Sequence, residues 1–285
     1  MSEPVGGIKK STSTHARRVI AYIVLIILSI LCLFWFYILL IYSTRSTGEI
    51  QKGITFIPSS HFVENFKNLI NSSQPVFQGL RNSLVIACSS ALLSTYFSTL
   101  TAYAIHVYDF KLKKFIFTFI LMIMMVPTQV TVLGFIQLMT KMKLINNFIP
   151  LIVPSIAAPV TFYYLKQYME SALPLALIEA ARIDGCGYVQ TWMKVIFPIA
   201  RPGIMTAAVL AFLNNWNEYY WASLVLITRE KLTVPALLST FTTAFNTNYN
   251  GLFSAMVIII LPPVLLYCIF SRFFIEALSG GAVKG

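Results

Sequence analysis

The stretch EAARIDGCGYVQTWMKVIFPIARP, residues 179–202, is a polar-containing segment with a helical organisation of its own, and it lies between two apolar stretches. Good helix formers occupy its beginning, and Gly185 permits backbone angles that other residues resist. A helix can restart at Tyr188, and Pro198 and Pro202 are expected to end it. The pattern predicts two short helices at an angle. A charged elbow of this kind between membrane spans is expected to be presented to a soluble partner.

The amino-acid composition is typical of a membrane protein. Of the 285 residues, 57% are hydrophobic and 11% are charged, whereas about a quarter of the residues of a soluble domain are charged. The net charge of +11 comes from basic residues in short segments beside apolar stretches, where they set the orientation in the membrane. No basic segment interleaved with aromatic residues is present, which argues against binding of nucleic acid.

Six stretches are apolar and close to the length of about 20 residues that a membrane helix needs. They are residues 19–42, 84–107, 115–139, 148–165, 203–227 and 253–270. The sequence therefore predicts an all-α membrane protein with six transmembrane helices. The first stretch exceeds the apolar region of a signal peptide, and no small-x-small cleavage site follows it, so it is expected to remain as an anchor.

Lysine and arginine side chains predict the orientation. With the amino terminus inside, 13 of them fall in inner segments and 8 in outer segments, in agreement with the positive-inside rule. The predicted organisation is a cytoplasmic tail (1–18), a first transmembrane helix (19–42), an extracytoplasmic loop (43–82), a core of five helices (83–276) that contains the cytoplasmic elbow (172–202), and a cytoplasmic tail (277–285). Both termini are thus expected in the cytoplasm, and the protein in the inner or plasma membrane.

The elbow resembles the EAA loop of ABC-importer permeases, whose pattern is Glu-Ala-Ala, then Asp-Gly, then an aromatic residue and a turn that ends at proline. The resemblance implies the type-I importer fold and a coupling helix that docks in a groove of a separate ATPase subunit. The positions that carry this expected coupling role are Glu179, Ala180, Ala181, Asp184, Gly185 and Pro198. The other interpretation of the segment is an ordinary amphipathic cytoplasmic loop.

The resemblance also implies a role for each position. Glu179 would pair with a basic group of the ATPase, Ala180 and Ala181 would form a face for close packing, and Asp184 and Gly185 would shape the turn. Departures from the family pattern are mild and occur at three further positions. They are Cys186, Trp192 and Phe197.

Two further segments are similar to the carbohydrate branch of this family. They are Asn-Asn-Trp-Asn-Glu at 214–218 and the ending Gly-Ala-Val-Lys-Gly at 281–285. The chain thus resembles the smaller permease of an oligosaccharide importer. The expected partners are a second permease, an ATPase dimer that binds the ATP, an extracytoplasmic solute-binding protein, the carbohydrate and the lipid bilayer. No cofactor is expected in this chain.

A polar patch is expected inside the fifth span. Glu218 is the acid placed within it, and Asn214, Asn217 and Glu218 are expected on one helical face at positions i, i+3 and i+4. An acid within the membrane is costly and points to function. Amide and carboxylate groups hydrogen-bond sugar hydroxyls, so these three residues are candidates for the translocation path. The alternative is that Glu218 bonds to a neighbouring helix.

Enzyme chemistry has no support in the sequence. It contains no Gly-x-x-x-x-Gly-Lys-Ser/Thr, no His-Glu-x-x-His and no Gly-x-Ser-x-Gly. The cysteines lack Cys-x-x-Cys spacing, so no metal site is expected. The energy for transport must come from another subunit. Two alternatives stay open: an ABC importer for another solute, such as glycerol phosphate or a polyamine, and an ion-coupled secondary transporter that uses Glu218.

Overall fold

The computed structural model of the chain describes residues 12–72, 74–242 and 247–282, and its elements there are helices. Residues 1–11 of the predicted amino-terminal tail and residues 283–285 of the carboxy-terminal tail lie outside the described residues. The chain forms two compact units. The first comprises residues up to 71 together with 247–257, and the second comprises 72–246 together with the residues from 258 onward.

The first unit is built from α1 (Thr12–Ser43), α2 (Thr47–Gln51), α3 (Phe62–Ile70) and the beginning of α14 (Tyr249–Ala282). Helix α1 has 32 residues, which is more than a hydrocarbon core requires, and its apolar side chains from Val19 onward are largely exposed. Such exposure suits a helix that is solvated by lipid.

Asn65 is the polar centre of the first unit. Its side chain is buried, and its Nδ2 donates to the carbonyl oxygens of Ser43 and Arg45, both at 2.9 Å. Its Oδ1 accepts from Nδ2 of Asn250 at 3.1 Å. Three chain segments are therefore tied to one buried amide.

The second unit contains the remaining helices. They are α4 (Val76–Val107), α5 (Lys113–Met124), α6 (Val132–Lys141), α7 (Ile149–Ile152), α8 (Pro159–Ala172), α9 (Leu175–Ile183), α10 (Tyr188–Thr191), α11 (Phe197–Trp216), α12 (Tyr220–Val225), α13 (Val234–Leu238) and the rest of α14. Short 3-10 turns lie at Thr128–Thr131, Val153–Ile156, Arg229–Lys231 and Ser239–Phe241, and a π-helical turn lies at Trp192–Ile196.

Helices α4, α8 and α11 pack against one another in the second unit. The buried face of α4 is rich in alanine, serine and threonine, and small residues let membrane helices approach closely. A small residue also allows close approach on α11, where a Cβ atom on Gly203 would collide with the ring of Tyr168 on α8. These contacts hold the scaffold that carries the elbow.

The stretch predicted as the third span is bent. Helix α5 and the segment Thr128–Lys141 form an angle of 87° at a break that contains Pro127. Proline lacks the N–H that would continue the helix. Among the described residues, five helices are long and apolar enough to cross a membrane, and the bent pair raises the number to six.

Candidate functional site

The elbow turns at Gly185, at the end of α9. Gly185 has φ +78°, in the left-handed region that favours glycine. Its N–H donates to Arg182 O at 3.0 Å, and Cys186 N–H donates to Ala181 O at 3.0 Å. This pair of bonds is the Schellman arrangement, with Asp184 as the C-cap. The Asp-Gly pair therefore ends the helix where the sequence places the turn.

The outer surface of the elbow combines acidic and apolar side chains. Glu179 and Asp184 are exposed, and Ile183 and Val189 are 86% and 75% exposed. Exposed apolar side chains grouped with charged residues are typical of a protein interface. We call this group of four residues the elbow surface.

The two alanines of the elbow face in different directions. Ala181 is buried within the chain, whereas Ala180 is exposed, because successive residues of a helix are about 100° apart. The expectation that both would form one face for packing against another subunit was therefore wrong. Ala180 lies beside Glu179 on the exposed side, and Ala181 joins Ile178 on the inner side.

Arg182 and a group of aromatic rings connect the elbow with the end of α4. The Arg182 guanidinium lies 5.6 Å from the ring centroid of Tyr108 and 6.0 Å from that of Tyr188, within the range of a cation–π contact. The hydroxyls of Tyr103 and Tyr108 are 3.2 Å apart, and the Tyr103 ring lies 5.0 Å from that of Trp192. We call these five residues the Arg182 cluster. This cluster was not predicted from the sequence, although Arg182 follows the Glu-Ala-Ala triplet directly.

Pro198 does not end a helix. The helical segment runs without interruption over Tyr188–Trp216, and Pro198 lies in the first turn of α11. The N–H of Phe197 donates to Trp192 O, five residues earlier, so one wide π-turn directly precedes the proline. The prediction that Pro198 and Pro202 end the segment was wrong. The second arm of the elbow and the fifth membrane helix are consequently one continuous rod.

The fifth span breaks before Glu218. Helix α11 ends at Trp216 with Asn217 as its C-cap, and α12 begins at Tyr220. A carboxylate oxygen of Glu218 accepts from Trp221 N–H at 2.9 Å. The prediction that 203–227 is continuous, with Asn214, Asn217 and Glu218 on one helical face, was therefore wrong.

Glu218 lines a cavity of about 320 Å³. The polar residues around this Glu218 cavity are Asn215, Glu218, Thr131 and Thr233, and Trp221 and Phe135 stand among its apolar residues. Asn214 and Asn217 are exposed and do not line it. The structure thus brings Asn215 together with Glu218, and not the predicted Asn214 and Asn217.

Thr233 has an unusual environment in this cavity. Its residue is 4% exposed, and its Oγ1 has no hydrogen-bond partner among the described residues. A buried polar group without a partner costs about 1–3 kcal/mol. Sequence reasoning missed Thr233, because its burial arises only when the segment after α12 folds back onto α4.

Comparison with known proteins identifies the family of the chain. Residues 94–280 match the family described as the binding-protein-dependent transport system inner membrane component. The chain belongs to this family. It is the membrane-spanning permease component of an ABC transport system of the inner membrane, and membership implies work with an ATPase and a solute-binding protein.

Several relatives of the permease can be aligned with it over most of its length. It is 36% identical to the arabinooligosaccharides transport system permease protein of Halalkalibacterium halodurans, over 84% of this chain and 86% of the relative. The protein of the same name from Bacillus subtilis is 31% identical over 98% of this chain and 100% of the relative. An sn-glycerol-3-phosphate transport system permease protein of Escherichia coli is 29% identical over 86% of this chain and 90% of the relative.

A solved structure establishes the fold. The chain matches a bacterial ABC transporter involved in the import of the acidic polysaccharide alginate, with a TM-score of 0.78 at 19% identity. The match covers 94% of this chain and 100% of that chain. The predicted all-α, type-I importer permease fold is confirmed.

Proposed function

We propose that this permease imports an oligosaccharide by alternating access, driven by ATP that a separate ATPase hydrolyses. The observation that carries the proposal is the continuity of the elbow with the membrane helix Tyr188–Trp216. Relatives named for arabinooligosaccharides, which align over most of the chain, support the substrate class.

The elbow surface is the proposed docking site for the ATPase. Glu179 supplies a carboxylate for a basic group of the ATPase, Ala180 leaves room for close approach, and Asp184 with Gly185 keeps the turn in shape. The exposed side chains of Ile183 and Val189 are apolar enough to be buried on docking. In this proposal the elbow and both chain termini lie in the cytoplasm.

Movement of the ATPase reaches the membrane by two routes. The first is the rod Tyr188–Trp216, which leads from the elbow to the break before Glu218. The second is the Arg182 cluster, which ties α9 to the end of α4. His106 Nε2 lies 3.0 Å from Leu173 O and adds a contact between α4 and the segment that enters the elbow. A shift of the elbow would therefore displace α4 and α11 together.

The remaining parts of the transporter are proposed from the resemblance. A second permease completes the path, a dimer of the ATPase binds the ATP, and an extracytoplasmic solute-binding protein delivers the carbohydrate. The chain then needs no ATPase site or cofactor of its own. Asn214, Asn217 and Glu218, at the outer end of the rod, are proposed to border the translocation path.

Uptake into proteoliposomes tests the proposal. The chain is purified with the subunits that accompany it, reconstituted with its solute-binding protein, and supplied with labelled trisaccharides. We expect uptake that requires ATP on the ATPase side and persists in the presence of an uncoupler. Uptake that needs no ATPase and collapses with the uncoupler would show an ion-coupled secondary transporter instead.

A further inference from the structure

The Glu218 cavity holds a hydroxyl that the fold itself does not use. Thr233 is the N-cap of α13, where a threonine side chain normally accepts from the first turn, yet it makes no such bond. Its Oγ1 is buried and has no partner among the described residues, and Thr233 is one of the residues that line the cavity. A hydroxyl both donates and accepts, and neither capacity of this one is used by the described residues.

Two further polar side chains of the cavity retain unused acceptor capacity. The carboxylate of Glu218 accepts from Trp221 N–H through one oxygen, and a carboxylate has about four acceptor positions. The amide of Asn215 is held in place because its Nδ2 donates to Ala211 O at 2.8 Å. Its oxygen can still accept a hydrogen bond. The cavity therefore offers several acceptors beside two hydroxyl-bearing residues, Thr131 and Thr233, a combination that suits adjacent hydroxyl groups of a ligand.

The rest of the cavity has the shape and chemistry of a sugar subsite. The ring of Trp221 lies 4.9 Å from that of Phe135, edge to face, and the pair gives an apolar wall for the C–H groups of a sugar ring. The volume of about 320 Å³ is at the lower end of the range of roughly 300–1,000 Å³ for small-molecule sites. It has room for one sugar unit and not for a whole oligosaccharide.

The charge of the cavity selects among the substrates named for the relatives. Glu218 is the ionisable residue among the described residues that line it, and these include neither lysine nor arginine. A carboxylate repels a phosphate or a uronate group, because like charges close together in a poorly solvated site are unfavourable. The cavity therefore favours a neutral sugar unit over glycerol phosphate.

We infer that the Glu218 cavity binds one neutral sugar unit of the transported oligosaccharide, with Thr233, Asn215 and Glu218 hydrogen-bonded to its hydroxyls. This inference rests on the proposed function. It adds Thr233 and Asn215 as determinants of specificity, and it places a substrate subsite within this permease.

The test is Thr233→Val, which keeps the branched shape of the side chain and replaces the hydroxyl with a methyl group. It is measured in the complete reconstituted transporter with labelled arabinotriose, maltotriose and xylotriose and with their monodeoxy analogues. We expect the wild type to transport at least one trisaccharide and to discriminate about tenfold against one deoxy analogue. Thr233→Val is expected to lose that discrimination, so that it transports the parent trisaccharide and the deoxy analogue at similar rates.

Thr95→Val is the matched control. Thr95 Oγ1 is also buried without a partner among the described residues, but it lines a different, apolar groove. Its discrimination among sugars is expected to match the wild type. If Thr233→Val keeps the wild-type discrimination, or if both variants lose it equally, the subsite is refuted while the importer stands. A wild-type complex that transports none of the sugars would overturn the proposed function and the subsite together.

Discussion

The guanidinium of Arg182 lies 5.6 Å from the ring of Tyr108, and this contact joins the elbow to the end of α4. Arg182 is in the last turn of α9, and Tyr108 is the C-cap of α4. The contact thus connects the segment that faces the ATPase in the proposed function with a long helix of the membrane core.

Arg182→Ala should uncouple the two activities of the transporter. Loss of the cation frees the elbow from Tyr108 and Tyr188, at a cost of about 0.5–2 kcal/mol in local stability. We expect ATP hydrolysis to continue while sugar transported per ATP falls several-fold. The control is Lys194→Ala, which removes an exposed cation of the same segment. Its ratio of sugar transported to ATP hydrolysed should stay at the wild-type value. An unchanged ratio in Arg182→Ala would remove the Arg182 cluster from the coupling route.

Gly203→Ala should destabilise the helix core. The added Cβ collides with the ring of Tyr168, and forcing extra volume into a packed core costs about 1–3 kcal/mol. The expected result is a lower melting temperature of the purified complex. Gly134→Ala is the matched control, since its Cβ would meet nothing within 4 Å. Equal melting temperatures for the two variants would contradict the close approach of α8 and α11.

Substitutions of Glu218 should separate its structural role from its charge. Glu218→Gln keeps an oxygen that can accept from Trp221 N–H, whereas Glu218→Ala removes it and costs about 1 kcal/mol as a lost hydrogen bond. We expect Glu218→Ala to lower the melting temperature more than Glu218→Gln. Uptake of trisaccharides that end in a uronate should rise in Glu218→Gln, because the repelling charge is gone. No change in that uptake would show that the charge does not select substrates.

The segment around α2 should loosen in acid. Ser46 N–H donates to Glu49 Oε2 at 3.0 Å and Ser59 Oγ donates to Oε1 at 3.1 Å, and these bonds, led by the first, hold the pKa of Glu49 below its ordinary value. A carboxyl group whose pKa is lowered by folding stabilises the fold at a pH above its ordinary pKa. This stabilisation is lost as the pH falls through the pKa of the folded state. Pepsin should therefore cleave residues 52–61 faster at pH 3 than at pH 5. Glu49→Gln does not titrate and is the control. The wild type should be cleaved more slowly than this variant at pH 5, and the difference in cleavage rate should vanish at pH 3.

The turn of the elbow was predictable because its cause is local. Gly185 follows Asp184 at the end of a run of helix formers, and glycine is the residue that adopts a left-handed conformation at a helix end. The six apolar stretches were predictable for a similar reason, since each carries its own signal of length and composition.

Other features depend on packing that the sequence does not show. Pro198 signals the end of a helix, yet a π-turn at Trp192–Ile196 carries the chain past it. The break at Asn217 contains neither glycine nor proline, so nothing in the local sequence marks it. The Glu218 cavity combines residues from distant segments, and Thr233 is 15 positions from Glu218 in the sequence. Only tertiary structure brings such residues together.

The most direct test of the coupling role is sugar uptake by Glu179→Lys in the reconstituted transporter. The exposed carboxylate becomes a cation, which would repel the basic group proposed on the ATPase. Glu230→Lys, an equal reversal at an exposed residue outside the elbow, is the control. We predict that Glu179→Lys enters the membrane in normal amount and loses uptake at least tenfold, while Glu230→Lys retains it. Normal ATP-driven uptake by Glu179→Lys would contradict the docking of the ATPase at the elbow surface.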